Sequence, residues 1–152
     1  IGILGDLKYG RTVHSLVVAL SHFNPKFYFI APQVLQMPQS YLDELKEKKI
    51  KFVTESNLMK VSKKLDVLYT TRIQKERFAD PIEYEKYKGV YKLDSSLLSN
   101  IKKDLKIMHP LPRVDEIDPS LDKTDHAIYF EQAANGIPVR KALLAFVLGK
   151  IK

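Results

Sequence analysis

The chain has 152 residues, of which 45% are hydrophobic and 28% charged, a balance typical of one globular domain with its own core. It has no cysteine, which excludes disulfides, cysteine-ligated zinc and a thiol nucleophile, and it has no apolar stretch long enough to span a bilayer. We therefore expect a cytoplasmic protein with no membrane partner.

The formal charge of +7 raises the question of nucleic-acid binding. The lysines lie in short clusters at 46–51, 62–64 and 102–106, mixed with acids and without interleaved aromatic residues that could stack on bases. Such clusters are typical of solvated helix ends. We therefore predict that the chain has no nucleic-acid partner.

The first half of the chain alternates short apolar runs with amphipathic stretches. Residues 1–5 and 26–31 are predicted strands, and residues 11–23 form a helix whose apolar side chains share one stripe. A second helix follows Pro38 and turns Tyr41, Leu42 and Leu45 inward.

The second half continues the alternation. Strands are predicted at 50–54, 66–71 and 106–109, with a short helix from Asn57 and another helix at 94–103. Region 127–151 reads as one helix, or as two helices broken at the Gly136 to Pro138 segment.

This order predicts an α/β fold, because parallel strands need crossover connections and are covered on both faces. We expect one doubly wound domain over 1–152, with a mainly parallel five-stranded sheet and helices on both faces. A dinucleotide-binding domain is disfavoured, since "GDLKYG" lacks the glycine spacing of that loop.

Both ends of the chain suggest a piece of a longer protein. It opens at Ile1 on a predicted buried strand without a polar lead-in, and the stretch "ALLAFVLG" after Lys141 is apolar on nearly every helical face. We expect this last helix to need cover from another domain.

In parallel sheets ligands bind beyond the carboxyl ends of the strands, so the loops after strands one, four and five are the candidate site. These loops contain arginines, which we expect at one rim: Arg11, Arg72, Arg77 and Arg113. Guanidinium groups bind carboxylates bidentately. The pattern therefore favours a small substrate with two carboxylates.

The segments "GDLKYGRTVHS", "TRIQKERF" and "MHPLPRVDEI", followed by "YFEQAANGIPVRKALLA", resemble the aspartate-binding domain of the aspartate carbamoyltransferases over essentially the whole chain. The related ornithine enzymes typically have cysteine in place of Pro110 and lack "RIQKER", so the resemblance favours aspartate. It implies transfer of the carbamoyl group of carbamoyl phosphate to L-aspartate in pyrimidine biosynthesis, without a cofactor.

The resemblance also implies parts that this chain lacks. Family members bind carbamoyl phosphate through a Ser-Thr-Arg-Thr-Arg segment in an N-terminal domain, which also holds the catalytic histidine, and no such segment occurs here. We therefore expect no catalytic residue in this domain. A homotrimer of catalytic chains, with or without regulatory chains and allosteric control, is the implied assembly.

By resemblance, Arg11 and Thr12 at the start of the first helix bind one aspartate carboxylate. Arg72 and Gln74 bind the other, and Glu76 orients Arg72. The alternative for Arg11 is a solvated arginine in the first helical turn, and the alternative for Arg72 is a surface ion pair with Glu76 of little energetic value. The position of Arg72 directly after an apolar strand favours a functional role.

The prolines of "HPLP" fix the backbone and remove N–H donors, so its carbonyl groups can point at a set position. The resemblance implies that the backbone of Leu111 and Pro112, next to Pro110, accepts a hydrogen bond from the carbamoyl amide. A plain turn is the alternative.

The segment after strand four resembles a mobile loop that contacts its neighbours when substrates bind. The supporting residues of these loops are Lys8, Arg77, Glu83, Tyr84 and Arg113, with Asp115 and Glu116 close in sequence. "FADPIEY" carries one more residue than some well-known members have, which affects the assignment of Glu83.

We expect His109, at a strand end, to be a structural hydrogen-bonding residue and not a general base. The other histidines, His14, His22 and His126, show no metal-ligand spacing, so no metal site is predicted.

Two classes of function stay open: an enzyme domain that binds aspartate for carbamoyl transfer, and a non-catalytic dicarboxylate-binding or interaction module derived from such an enzyme. The sequence upstream of Ile1 would distinguish them.

Overall fold

The computed structural model describes residues 1–78 and 80–151. Its five-stranded sheet has the order β3-β2-β1-β4-β5, and the four strand pairings are all parallel. The strands are β1 (Gly2–Leu4), β2 (Lys26–Ile30), β3 (Lys51–Glu55), β4 (Val67–Thr70) and β5 (Lys106–Met108). The predicted α/β sheet is confirmed, and it is parallel throughout the described chain.

The α-helices of the described chain are α1 (Arg11–Leu20), α2 (Gln39–Glu47), α3 (Pro81–Glu85) and α4 (Tyr129–Val147). Helix α4 runs through Pro138 without a break, so the version with one final helix is the correct one. None of the helices in the described part of the chain has the length and apolar character that crossing a bilayer requires.

Two predicted helices are 3₁₀ segments instead. The stretch from Asn57 forms 3₁₀ turns at Leu58–Lys60 and Ser62–Lys64, and the helix predicted at 94–103 is the 3₁₀ segment Ser95–Asn100. The Asp94 carboxylate accepts from the backbone N–H and the hydroxyl of Ser96. Such local bonds of Asp and Ser favour turns and caps over a regular α-helix.

Each face of the sheet has its own apolar layer. On one face α1 and α2 pack on the sheet, and on the other face the 3₁₀ segments and the first turn of α4 cover it. The first layer includes Ile3, Val13, Val17, Phe27, Phe29 and Leu45, and the second includes Leu4, Ile30, Leu68, Leu97, Ile107 and Tyr129. Neighbouring strand residues alternate between the layers, as the pleat requires.

The strand order reverses beside β1, which pairs with β2 on one side and with β4 on the other. The chain therefore leaves β1 and β4 in opposite directions, which opens a crevice at their carboxyl ends. Ligands of parallel α/β domains bind at such a switch point.

Candidate functional site

The loops after β1 and β4 touch each other at Gly5 and Thr71. The Thr71 N–H donates to the Leu4 carbonyl at 2.8 Å, and Gly5 has a φ of +118°. A Cβ on Gly5 would lie 2.2 Å from the Thr71 carbonyl oxygen. Only glycine allows this conformation and this close approach, so it sets the distance between the two predicted substrate loops.

Asp6 organises the same junction and was not predicted as a site residue. Its side chain is fully buried, and its Oδ1 accepts from the Tyr9 N–H at 2.9 Å. Burial raises the Asp6 pKa, while the nearby backbone N–H groups of Tyr9, Gln74 and Lys8 act in the opposite direction. The carboxylate thus lies beside backbone N–H groups of both loops. An acid directly after a buried strand is the signal that could have revealed it.

Arg11 and Thr12 begin α1, and both side chains are exposed. The N-cap residue Gly10 provides no side-chain bond, so the first turn of the helix keeps open N–H groups that favour an anion. Thr12 also lies near β4, because Thr12 and Tyr69 line the same groove. Burial raises the pKa of the Tyr69 hydroxyl, and the Thr12 side chain lowers it in part. The start of α1 therefore lies beside β4.

Arg72 is held by Glu76, as the sequence indicated. Its Nη2 lies 2.5 Å from Glu76 Oε1, and the two side chains are 41% and 52% exposed. The Glu76 pKa is lowered by its own backbone N–H and by the charge of Arg72. Nearby, Arg77 Nε donates to Gln74 Oε1 at 3.3 Å. This loop orders its side chains internally while leaving part of the Arg72 fork exposed.

The supporting residues divide between two small cavities. Lys8, Arg77 and Glu83 line one of about 280 Å³, so two cations and an acid from different loops meet there. Tyr84 lines the other with Asp115, and its ring packs edge-on against Phe78 at 5.7 Å between centroids. The loop after β4 is thus in contact with the loops after β1 and β5.

The proline turn, which we define as His109 to Pro112, is fixed by a buried histidine. His109 is 1% exposed, and its Nδ1 accepts from the Leu111 N–H at 2.8 Å. Leu111 has a φ of +52°, and the Leu111–Pro112 peptide is cis. The backbone N–H of His109 donates to Gln132 Oε1 at 3.2 Å, which joins the turn to α4.

Glu116 stands behind this histidine. Its Oε1 lies 2.7 Å from His109 Nε2, although the two atoms are not aligned as a hydrogen bond. Burial would raise the Glu116 pKa, but His109 and nearby backbone N–H groups outweigh burial and hold the pKa below its usual value. His109 thus accepts a hydrogen bond at Nδ1 and faces a carboxylate at Nε2, both within the turn and the segment that follows it.

Arg113 does not join the other arginines. Its Nη2 donates to Asp122 Oδ2 at 2.6 Å, and its Nη1 bonds Asp122 Oδ1 and the Tyr129 hydroxyl. The guanidinium also lies 5.6 Å from the ring centroids of both Tyr129 and Phe130. Because its fork is already occupied, Arg113 anchors the end of the proline turn to the start of α4 and presents no open fork at the rim.

Two of the remaining histidines, His14 and His126, bond backbone carbonyls. His14 Nε2 lies 2.9 Å from the Leu7 oxygen, and His126 Nδ1 lies 2.7 Å from the Leu105 oxygen. Within residues 1–78 and 80–151, no three His, Asp or Glu side chains are grouped as metal ligands.

The structure is a parallel α/β domain whose arginine-containing loops lie at the switch point of the sheet. The chain belongs to the aspartate/ornithine carbamoyltransferase family: the sequence profile of its Asp/Orn binding domain matches residues 1–147.

Curated relatives and solved structures agree with this family. The aspartate carbamoyltransferase catalytic subunit of Thermococcus kodakarensis is 55% identical over 149 residues, which is 98% of this chain and 48% of the relative. That of Haloquadratum walsbyi is 50% identical over 152 residues, covering 100% of this chain and 50% of the relative. The chain therefore spans about half the length of the curated relatives it matches.

Two solved structures show the same fold. The catalytic subunit of M. jannaschii aspartate transcarbamoylase superposes with a TM-score of 0.89 at 51% identity, covering 98% of this chain and 48% of that one. Aspartate transcarbamoylase from Trypanosoma cruzi, in complex with N-(phosphonacetyl)-L-aspartic acid, gives a TM-score of 0.83 at 39% identity, covering 95% of this chain and 48% of that one.

Proposed function

We propose that this chain is the L-aspartate-binding half of an aspartate carbamoyltransferase, which forms N-carbamoyl-L-aspartate and phosphate in pyrimidine biosynthesis. The observation that carries the proposal is the contact between the loops after β1 and β4 at Gly5 and Thr71. It supports a single site in which Arg11 with Thr12 and Arg72 with Gln74 take the two carboxylates of one substrate.

Aspartate fits this site better than ornithine. The ornithine side chain ends in an ammonium group, which the Arg72 guanidinium would repel, whereas a carboxylate gains a charge-assisted bond. Solved Trypanosoma cruzi relatives hold aspartate with phosphate, carbamoyl aspartate with phosphate, and the aspartate-containing inhibitor. These ligands favour the same substrate for this chain.

In the proposed reaction the aspartate amine attacks the carbamoyl carbon of carbamoyl phosphate. A C–N bond forms, the amine loses a proton, and the C–O bond to phosphate breaks as phosphate leaves with the electron pair. No covalent enzyme intermediate is needed, so this chain contributes by holding the nucleophile in attacking geometry. Because both aspartate carboxylates are bound, the α-carbon between them is fixed, and its amine is held in the direction of attack.

The proline turn is proposed to position the carbamoyl group. Among the residues that the structure describes, none donates a hydrogen bond to the carbonyl oxygens of Pro110, Leu111 and Pro112. Carbonyls that lack a partner on a rigid turn can accept from the carbamoyl amide. The turn would then orient the electrophile while α1 and the Arg72 loop orient the nucleophile.

The other half of the enzyme is proposed to supply the phosphate-binding groups and to cover two apolar surfaces. One is α4, where Leu143, Leu144, Phe146 and Val147 are each more than half exposed. The other is a groove of about 670 Å³ between α1 and the β4–β5 side of the sheet. Exposed apolar surfaces of this extent mark interaction sites.

The homotrimer, regulatory chains with allosteric control and the cytoplasmic location stay predictions from the family resemblance. The non-catalytic module derived from such an enzyme is less favoured, because the loops that would bind both substrates are intact. An interaction module has no need of an Arg72 fork held by Glu76 at 2.5 Å.

The test is an assay of the full-length protein that contains this chain, with carbamoyl phosphate and either L-aspartate or L-ornithine. We expect phosphate release and N-carbamoyl-L-aspartate with aspartate only. Turnover with ornithine would contradict the substrate, and binding of aspartate without turnover would favour the non-catalytic module.

A further inference from the structure

We propose that His109 and Glu116 form a positioning pair that sets the backbone of the proline turn for carbamoyl phosphate. The inference rests on the proposed function, because it concerns the side chains behind the backbone that we propose binds the carbamoyl group. Neither side chain touches the substrate in this assignment, so both act through the turn.

The first step is the bond from the Leu111 N–H to His109 Nδ1, which is 2.8 Å long. Leu111 has a φ of +52°, a conformation that is unfavourable for a residue with a Cβ. Such a conformation persists when the surrounding structure holds it. The imidazole closes the turn on itself and thereby fixes the plane of the Pro110–Leu111 peptide, which contains the Pro110 carbonyl and from which the backbone continues to the Leu111 carbonyl.

The second step is the choice of tautomer. Since Nδ1 accepts a hydrogen bond, the proton of the neutral imidazole is on Nε2. Glu116 Oε1 lies 2.7 Å from Nε2, and a carboxylate at this distance favours a protonated nitrogen. Glu116 therefore keeps Nδ1 free of a proton and available to Leu111.

The third step is that backbone bonds fix the pair and burial keeps water away from it. Glu116 Oε2 accepts from the N–H groups of Val114 and Asp115, both at 3.1 Å. The side chains of His109 and Glu116 are only 1% and 9% exposed, so water has little access to replace a lost bond. Glu116 Oε1, which takes neither of these bonds, therefore faces the histidine.

Two substitutions at one position separate the bonds of the imidazole in the full-length enzyme. His109→Asn places an amide oxygen where Nδ1 was and keeps an acceptor for the Leu111 N–H. His109→Gln reaches toward Glu116 but loses that acceptor. We expect His109→Gln to lower kcat/KM for carbamoyl phosphate at least about tenfold more than His109→Asn does.

Glu116→Gln tests the tautomer. Its amide oxygen would accept from Val114 and Asp115, which turns its NH₂ group toward His109 Nε2. The imidazole must then move its proton to Nδ1, where it opposes the Leu111 N–H. We expect about a tenfold loss in kcat/KM for carbamoyl phosphate from Glu116→Gln alone, but under about threefold when it is added to His109→Asn, which has no tautomer.

Thermal unfolding and the aspartate KM at saturating carbamoyl phosphate are measured on every variant. Equal losses in the two His109 variants, additive effects of Glu116→Gln, or lowered stability with unchanged kinetics would each overturn the positioning pair. If His109→Gln does not fold, Glu116→Gln in the two backgrounds still decides. Absence of carbamoyl transfer in the unmodified enzyme would instead overturn the proposed function.

Discussion

Gly5 and Arg72 illustrate two ways in which single residues build this site. Gly5 acts through what it lacks, because its missing Cβ lets the backbone of the β1 loop approach the Thr71 carbonyl. Arg72 acts through what it presents, since one nitrogen is held by Glu76 and the side chain stays 41% exposed. Gly5 sets the distance between the two loops, and Arg72 supplies a positive charge on one of them.

Gly5→Ala is expected to lower the free energy of unfolding by at least about 3 kcal/mol, because the new Cβ meets a backbone oxygen at 2.2 Å in a positive-φ conformation. Denaturant unfolding of the full-length protein measures this loss. Gly89→Ala is the matched control, since Gly89 also has a positive φ, of +71°, but a Cβ there meets nothing within 4 Å. That control should cost about 1 kcal/mol. Equal losses would show that conformation alone matters.

Arg72→Lys is expected to impair the use of aspartate in the full-length enzyme while sparing the affinity for carbamoyl phosphate. Lysine keeps the charge but loses the planar fork, so the carboxylate can pivot out of attacking alignment. The loss of an oriented charged bond is about 1.5–3 kcal/mol, or roughly ten- to a hundredfold in kcat/KM for aspartate. Steady-state kinetics and a direct binding measurement test this.

Two results would contradict the Arg72 prediction. A near-normal kcat/KM would leave Arg72 as a surface ion pair with Glu76, which is worth under about 1 kcal/mol. An equal loss of affinity for both substrates would mean that the substitution disturbs the fold.

At the scale of elements, apolar periodicity predicted each strand and the long helices, because those elements bury a stripe or a continuous run. The helix predicted at 94–103 is a 3₁₀ segment, since its few apolar residues, Leu97, Leu98 and Ile101, are equally compatible with a 3₁₀ segment capped by Asp94. Helix α3 was not predicted, although Asp80 accepts from the Ile82 N–H as a cap. Short elements depend on such local bonds more than on periodicity.

The candidate site was likewise predicted from the sequence only in part. Residues on loops after strands, such as Arg11 and Arg72, were predicted because the position at a strand end is visible in the sequence. The roles of Asp6 and Glu116 were not predicted, since they depend on burial and on the folded positions of partners such as Gln74 for Asp6 and His109 for Glu116. Arg113 was expected at the rim, but Asp122, nine residues later, takes its fork.

Helix α4 carries the prediction for this scale. Because the apolar side chains of α4 are exposed, the isolated chain should self-associate or bind a hydrophobic dye. Leu143→Glu with Val147→Glu should reduce the dye signal several-fold. The matched control is Ile82→Glu on α3, an isolated apolar side chain that is 71% exposed.

The same helix also links the isolated chain to the complete enzyme. Addition of the other half as a separate polypeptide should suppress the dye signal of the unmodified chain. It should not change the remaining dye signal of the variant with Leu143→Glu and Val147→Glu. A monomeric isolated chain with no dye binding would contradict the exposure of α4 in solution.

At the scale of the whole molecule, the proposed function makes this chain one side of a two-sided site. The proposed carboxylate clamps and the proline turn would belong to this side, and the other half would cover the apolar surface of α4 and of the groove beside α1. Binding energy from two halves is useful for catalysis only when it fixes both reactants at once. Under the proposal, the complete reaction therefore requires the two halves to be joined or docked.

The isolated chain is accordingly expected to show no carbamoyl transfer above the rate in buffer, because the proposed function assigns to the other half the groups that bind the phosphate and stabilise charge on the carbonyl oxygen. Purified chain is assayed for phosphate release with carbamoyl phosphate and L-aspartate. The control is the same chain mixed with the separately produced other half, which should restore turnover in proportion to the complex formed. Turnover by the isolated chain well above buffer would mean that stabilisation of the transition state also lies on this side, and the division of work between the halves would be wrong.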